Sequence, residues 1–201
     1  MTRPAAPELF APSDRRRALT RMGAMLSLGA PVLPALAAED DTTFDEDSML
    51  KAAADFFGST TEGLAKVIEK AFKEQGRPNA YIKGEEAGAA LTVGLRYGEG
   101  QLTMKSGPKV PVYWAGPSIG FDAGANASKV FTLVYKLPHA HAIYQRFPGV
   151  DGSLYYIGGA GINYQRLNGI TLAPIRLGVG LRAGASIGYL HYRPQKSLNP
   201  F

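Results

Sequence analysis

The chain has 201 residues, of which 45% are hydrophobic, and it contains no cysteine. This length suits one folded domain with appended segments, and the lack of cysteine excludes disulfide bonds, thiolate catalysis and cysteine metal sites. The formal net charge of +5 is unevenly distributed, because residues 38–79 are acidic and residues 80–201 are basic. The pattern predicts a basic domain preceded by an acidic segment.

Residues 1–37 have the features of an export signal. An arginine triplet at residues 15–17 precedes a short apolar stretch, which ends in the small-x-small sequence of residues 35–37. Together these features are typical of a cleaved signal peptide, and the stretch is too short and interrupted to span a membrane. We predict cleavage after Ala37 and a periplasmic mature protein. The paired arginines favour twin-arginine export, but the residues after them depart from that motif, so Sec export stays open.

Residues 38–47 are predicted to be an acidic linker, and residues 48–78 a helical segment. Ser48 is the expected N-cap of a first helix, because its hydroxyl can accept a hydrogen bond from an unpaired backbone N–H. Gly58 is expected to end that helix, since glycine readily adopts the left-handed conformation of a helix C-terminus.

A second helix is predicted after the capping-box sequence that runs from Ser59 to Glu62. Its apolar residues recur with helical spacing and form one stripe, made of Leu64, Val67, Ile68, Ala71 and Phe72. A helix with such a stripe packs against another surface. We favour docking on the domain that follows, since the polar face carries both charge signs, over docking on a membrane surface.

Residues 79–196 alternate apolar and polar or glycine residues, which is typical of strands with one buried face. The alternation is clearest at residues 170–182, and Asn168-Gly169 before it is a strong hairpin signal. We expect another hairpin turn at residues 98–100, pairing of residues 110–121 with 128–136, and a helical crossover at residues 138–147. The predicted strands are residues 81–83, 89–97, 101–105, 110–121, 128–136, 154–166, 170–182 and 185–193.

Glycine recurs inside these strands, where it suits sharp bends and close backbone approach at barrel corners. We therefore predict a mainly β fold: a small, closed or nearly closed antiparallel barrel of about seven or eight strands, with the helical segment packed against it. A barrel of this size is either filled by side chains or holds one small ligand. Residues 197–201 are predicted to be a tail.

Four residues are candidates for ligand binding: Trp114, Asp122, Arg176 and Arg182. Trp114 is either part of the core or a stacking surface for a sugar or lipid headgroup. Asp122 is expected to pair with Arg176 or Arg182, because a buried charge needs a partner, or to act as a ligand group at a barrel mouth. No catalytic or metal-binding residue is predicted.

The strand arginines leave two arrangements open: they line one barrel mouth and attract phosphate or carboxylate groups, or they are spread over the outside. The residues concerned are Arg96, Arg166, Arg176, Arg182 and Arg193.

Two further motifs do not predict a cofactor. Residues 178–183 match the dinucleotide fingerprint formally, but they lie in a strand pattern, whereas that chemistry needs a helix N-terminus after the turn. His139 and His141 are expected to diverge on a helix, which does not favour a metal site.

Several sequence blocks resemble one family. They are Gly84-Glu85-Glu86, the stretches at residues 95–100, 116–122 and 172–176, and the C-terminal Asn199-Pro200-Phe201. The chain resembles the envelope integrity protein A (EipA) family of alphaproteobacterial periplasmic proteins. This resemblance implies a small periplasmic β-barrel needed for envelope integrity, without an established enzymatic activity. The block at residues 116–124 also resembles part of the SYLF domain, which binds acidic phospholipids.

Three functions remain in competition. The first, which we favour, is a non-enzymatic envelope protein that binds an anionic lipid or envelope glycan, with a membrane surface as a further partner. The second is an enzyme acting on an envelope polymer through two carboxylates. The third is an outer-membrane barrel. Export argues against nucleic acid as a partner, and the sequence does not determine the oligomeric state. The candidate carboxylates are Glu85, Glu86, Glu99, Asp122 and Asp151.

Overall fold

The computed structural model describes residues 42–89, 93–119, 127–178 and 186–197. The predicted signal peptide and the first part of the acidic linker lie outside these residues. Two α-helices are followed by strands and one 3-10 helix, and within the described residues none of the helices is long and apolar enough to cross a membrane.

The helices are α1 (Glu46–Phe57), α2 (Glu62–Gln75) and the 3-10 helix η1 (Ala140–Ile143). The strands are β1 (Ala80–Ala89), β2 (Val93–Met104), β3 (Lys109–Ile119), β4 (Ser128–Tyr135), β5 (Arg146–Pro148), β6 (Tyr155–Ile157), β7 (Ala160–Ile162), β8 (Gln165–Leu167), β9 (Ile170–Leu177), β10 (Ser186–Ile187) and β11 (Tyr189–Arg193).

The strands form one curled antiparallel sheet in the order β5-β11-β3-β2-β1-β4-β9. The far edge of β9 pairs with β8 along one half and with β7 along the other, and β7 pairs with β6. A β-bridge between Gly149 and Gln165 joins the end of β5 to β8, so the two ends of the curled sheet meet. The prediction of a mainly β, barrel-like fold is confirmed.

Two apolar clusters hold this arrangement together. The first fills the barrel interior, and its members include Ile82, Leu102, Val112, Val134, Phe147, Leu172 and Leu190. The second lies outside, where the stripe of α2 and part of α1 pack on β4, β7 and β9. The expectation that the helical segment docks on the barrel is therefore confirmed.

Strand β9 differs from the expected half-buried pattern, because both of its faces are buried. Ile175 packs under the helices, whereas Arg176, on the opposite face, is 3% exposed. The alternation was predicted correctly, and the arginine face was expected in one of three places: in a buried pair with Asp122, at a barrel mouth or in solvent. It points inward because the helices already cover the apolar face.

Both helix starts differ by a few residues from the prediction. Asp45, not Ser48, caps α1: the Ser48 N–H donates to Asp45 Oδ1 at 2.8 Å, which places Ser48 inside the first turn. Thr61, not Ser59, caps α2 and accepts from the Leu64 N–H at 3.1 Å. Gly58 ends α1 in the left-handed conformation, as predicted.

The predicted turn at residues 98–100 is wrong. These residues lie in the middle of β2, where Glu86 on β1 is the register partner of Gly98. Trp114 from β3 explains Gly98, because an added Cβ there would overlap the indole, and one at Gly84 would lie 2.6 Å from Trp114 Cη2. A Cβ at Gly100 would instead lie 2.5 Å from the Lys83 carbonyl oxygen on β1. The glycines serve close approach, not chain reversal.

The expected pairing of residues 110–121 with 128–136 is also wrong. Strands β3 and β4 are separated by β2 and β1, since β1 pairs with both β2 and β4. Residues 154–166 contain three short strands instead of one. The predicted helical crossover contains only one helical turn, η1, followed by the start of β5. The hairpin at Asn168-Gly169 is confirmed, with φ values of 50° and 80°.

Candidate functional site

A buried charge network lies inside the barrel, around the carboxylate of Glu86. Arg176 donates to both carboxylate oxygens, from Nε to Oε1 and from Nη2 to Oε2 at 3.2 Å. Trp114 Nε1 donates to Oε2 at 3.4 Å, and Arg96 Nη1 lies 3.5 Å from Oε1. Arg176 Nη1 donates further to Asn163 Oδ1 at 3.0 Å.

The network is almost completely shielded from solvent: Glu86 is 1%, Arg96 2% and Arg176 3% exposed. Sheet register brings its members together. Glu86 lies opposite Gly98 on β2, Gly98 lies opposite Trp114 on β3, and Val130 on β4 lies opposite Arg176 on β9. A carboxylate in this position is stable only with charged and hydrogen-bonded partners, which the two guanidinium groups and the indole provide.

Burial and charge act in opposite directions on these groups. Burial raises the pKa of the Glu86 carboxyl, but Arg176 and Arg96 lower it more, and the net pKa lies below the ordinary value. Burial lowers the pKa of Arg96 to about 10, although Glu86 partly offsets this effect. Glu86 and Arg96 are therefore charged near neutral pH, and the arrangement is suited to structure more than to proton transfer.

Two of the four predicted ligand-binding residues, Trp114 and Arg176, meet in this network. Asp122 and Arg182 lie outside the described residues. The carboxylate that pairs with Arg176 is Glu86, which was predicted only as a candidate catalytic carboxylate. A signal was available, since Glu86 continues the inward series of Ala80 and Ile82 at two-residue spacing. The role of Trp114 and Arg176 in binding a ligand stays a prediction.

The interior position of Arg176 changes what it can bind. Its Nε, Nη1 and Nη2 groups all donate to Glu86 or Asn163, and its charge faces a carboxylate. Of the strand arginines that the structure describes, Arg96 and Arg176 lie inside, whereas Arg166 and Arg193 lie on the outer face. The arginines thus follow neither predicted arrangement completely.

A cleft of about 220 Å³ lies on the outer face of the sheet, next to the buried network. We call it the tyrosine cleft, because Tyr97 and Tyr113 contribute the two aromatic rings among its outer-face residues. Trp114 and Glu86 of the network also line it. Its remaining lining residues are Glu85, Ala87, Gly98, Glu99, Ala115, Ala127, Arg193, Gln195, Lys196 and Ser197.

The tyrosine cleft carries charges of both signs. One row of register partners crosses five strands from β11 to β4, in the order Arg193, Tyr113, Glu99, Glu85 and Lys129. The two carboxylates are therefore direct cross-strand neighbours, a destabilising arrangement unless compensated. Lys196, from the segment after β11, pairs with Glu99 at 3.0 Å, in an ion pair whose side chains are 72% and 57% exposed.

A second hollow continues the tyrosine cleft. It shares Glu85, Glu99 and Tyr113 with the cleft and extends it to Gly84 and Gly100. The two hollows together form a groove that crosses β1, β2 and β3. Such a shape suits an elongated ligand better than a compact one.

The structure brings three of the five candidate catalytic carboxylates together, since Glu85, Glu86 and Glu99 all line the tyrosine cleft. Glu85 and Glu99 are exposed on the outer face, and Glu86 is buried in the charge network. Asp151 is exposed in the segment between β5 and β6, and Asp122 lies outside the described residues. No group of three potential metal-ligating side chains occurs in the described ranges.

Comparison with known families now identifies the chain's relatives. The family model for envelope integrity protein A matches residues 42–201, which include all of the described fold. The chain belongs to the envelope integrity protein A family. The resemblance predicted from the sequence is thereby confirmed. The description of the family refers to the integrity of the cell envelope.

A solved structure supports the same assignment. It is a crystal structure described as a beta-barrel-like, uncharacterized protein from Brucella abortus, with 43% sequence identity and a TM-score of 0.74. The similarity covers 80% of this chain and 99% of that chain. A comparison with curated proteins found no match.

Proposed function

We propose that this protein is a non-enzymatic periplasmic protein that supports the envelope by binding an envelope glycan in the tyrosine cleft. The observation that carries the proposal is that the barrel interior is filled, whereas the outer face carries an open cleft. The interior is filled by apolar side chains and by a charge network whose members pair with one another. Binding is therefore assigned to the outer face, where the cleft exposes tyrosine rings beside polar groups.

The chemistry of the cleft favours a glycan over an anionic lipid. Sugar rings have flat C–H faces that pack on aromatic rings, and their hydroxyl groups need both donors and acceptors. Tyr97 and Tyr113 supply the rings, whereas Glu99 and Lys196 supply acceptors and donors. An acidic lipid headgroup in the cleft would lie against the exposed carboxylates of Glu85 and Glu99, which repel it.

The competing functions fit the geometry less well. Catalysis by the cleft carboxylates is disfavoured, because Glu86 is held charged by Arg176 and Arg96, and Glu99 is paired with Lys196. A barrel embedded in the outer membrane needs an apolar band facing the lipid. The outer face instead presents the charged row from Arg193 to Lys129 on one side and packed helices on the other.

Binding can be followed through Trp114, the single tryptophan of the chain, which lines the cleft. The processed protein is titrated with soluble polysaccharide released from the envelope by mild acid, and tryptophan emission is recorded. We expect saturable binding that weakens about tenfold in Tyr97→Ala and Tyr113→Ala, because losing an aromatic anchor costs more than about 1 kcal/mol. Tyr156→Ala, which changes a partly exposed tyrosine on β6, should bind as wild type does.

The envelope role is tested in cells. A deletion strain complemented with wild type or Tyr156→Ala should resist detergent, whereas complementation with Tyr113→Ala should leave it sensitive. Full rescue by Tyr113→Ala, or unchanged polysaccharide binding by both cleft variants, would reject the proposal. Binding to vesicles of anionic lipid without binding to polysaccharide would also reject it.

A further inference from the structure

We propose that the outer face of β5 and β11 is a subsite for an anionic group, a phosphate or carboxylate, carried by the glycan in the adjoining tyrosine cleft. This inference rests on the proposed function, since it concerns one substituent of the same ligand. The subsite consists of Arg146, His191 and Arg193, and we call it the basic subsite.

The register of the sheet creates the basic subsite. His191 on β11 lies opposite Arg146 on β5, and Arg193 is two residues further along the same face of β11. Arg193 also lies opposite Tyr113 and lines the tyrosine cleft. The cleft thus reaches the basic subsite through Arg193, and His191 and then Arg146 follow next to it on the outer face. Guanidinium and imidazolium groups favour oxyanions.

The hydrogen bonds define the protonation state of His191. Arg193 Nη2 and Nε lie 3.0 and 3.2 Å from His191 Nδ1. A guanidinium group has only donors, so Nδ1 accepts, and the imidazole is neutral with its proton on Nε2. Without an anion, His191 is thus held in the form that carries no charge.

The surroundings of His191 oppose its protonation. Tyr189 and Arg193 lie on the same face of β11, and Arg146 on β5 places its guanidinium 4.9 Å from the centre of the Tyr189 ring. On the other side, β3 presents Ala115. Burial, followed by Arg193 and Arg146, lowers the pKa of His191. An anion bound next to His191 would reverse this charge balance, so binding should be accompanied by proton uptake at His191.

The chain contains three histidines, and two of them serve as internal controls. His139 and His141 are exposed near η1, where no basic subsite is proposed. The pKa values of the three imidazoles are measured by proton–carbon NMR of the processed protein, with His191→Gln to assign the signals. Titrations are carried out with glucose 6-phosphate, glucose and inorganic phosphate.

We expect glucose 6-phosphate to raise the pKa of His191 by about one unit, with no change for His139 and His141. Glucose alone should leave all three pKa values unchanged. Affinity for glucose 6-phosphate should be higher at pH 6 than at pH 8, and Arg146→Gln should weaken it at least fivefold. Lys109→Gln removes the same charge from an exposed position on β3 and should have no effect.

Equal shifts of all three histidines, or no shift with glucose 6-phosphate, would overturn the basic subsite. Such a result would leave the proposed function intact if polysaccharide binding still required Tyr97 and Tyr113. A shift of His191 produced by anionic vesicles but not by glucose 6-phosphate would overturn the assignment of the anion to a glycan. Conversely, a shift with glucose 6-phosphate in a protein that binds no polysaccharide would support the subsite while rejecting the proposed function.

Discussion

Single residues decide how the barrel interior is filled. Trp114 occupies space that exists only because Gly84 and Gly98 lack side chains. The same indole donates to Glu86, and so the aromatic packing and the buried charge network depend on one another. Glycine often indicates a turn, but in this protein Gly84 and Gly98 lie inside continuous strands and make room for a tryptophan side chain.

The first prediction concerns this contact. Gly98→Ala would place a methyl group within the Trp114 indole, and overpacking of this kind costs about 1–3 kcal/mol of unfolding free energy. Urea unfolding followed by Trp114 emission measures the loss. Gly188→Ala is the matched control, because its added Cβ would make only an ordinary contact at 3.7 Å with Pro117. Equal stability of the two variants would show that the indole moves away without cost.

The second prediction concerns Glu86. Glu86→Gln leaves Arg176 and Arg96 without their shared carboxylate, and breaking a buried ion pair costs about 3–5 kcal/mol. Glu99→Gln, which breaks the exposed pair with Lys196, should cost no more than about 1 kcal/mol. Chemical unfolding of both variants at pH 7 provides the comparison.

The difference in unfolding free energy between wild type and Glu86→Gln should depend on pH. The pKa of Glu86 is lower in the folded state than in the unfolded state, so the folded state binds fewer protons. Its contribution is complete above the unfolded pKa of about 4.3 and is lost as the pH falls through the lower folded value. The stability difference between wild type and Glu86→Gln should therefore shrink below about pH 4. A difference that is constant down to pH 2 would contradict the assignment of this charge.

At the scale of elements, α2 and β9 show how two amphipathic patterns complete each other. The stripe of α2 needs an apolar partner, and the outward face of β9, with Ala173 and Ile175, provides it. Because the helix takes that face, the opposite face of β9 can only turn inward. The position of Arg176 in the interior is thus a consequence of helix docking.

The docking of α2 yields the third prediction. Ile68→Ala removes a fully buried side chain from the interface between helix and sheet, and such truncations cost about 2–5 kcal/mol. Glu69→Ala, one position further on the exposed face, should change stability by less than about 0.5 kcal/mol. Thermal unfolding monitored by far-ultraviolet circular dichroism measures both. Similar melting temperatures would mean that α2 contributes little to holding the barrel.

At the scale of the whole molecule, we predict that the barrel and the helices function together after export of the chain. We expect the periplasmic form to begin at Ala38, because the peptidase requires a small residue at position 37. Ala37→Phe should cause the precursor to accumulate, whereas Leu36→Phe, in the tolerant middle position, should be processed normally. Mass spectrometry of the periplasmic fraction gives the N-terminus. Cytoplasmic protein of full mass in the wild type would contradict the export prediction.

The sequence predicted those features that depend on neighbouring residues. Two-residue alternation identified the strand-rich region, Asn168-Gly169 identified its hairpin, and 3.6-residue spacing identified the face of α2 that packs. The candidate site was predicted only in part, because its decisive pair joins residues far apart: Glu86 and Arg176 are separated by 90 positions.

Local sequence patterns could not predict the order of the strands, because several neighbouring strands in the sheet are far apart in the chain. Whether β1 lies beside β4, and whether β5 meets β8 to complete the curl, depends on the cost and gain of bringing distant segments together. The amino-acid sequence by itself determined which residues alternate, turn and cap, because those properties follow from backbone sterics and nearest neighbours. Only the tertiary structure decided that the arginine face is inside, that tyrosines and mixed charges share the outer cleft, and that Glu86 is the buried partner, because each depends on register between strands far apart in the chain.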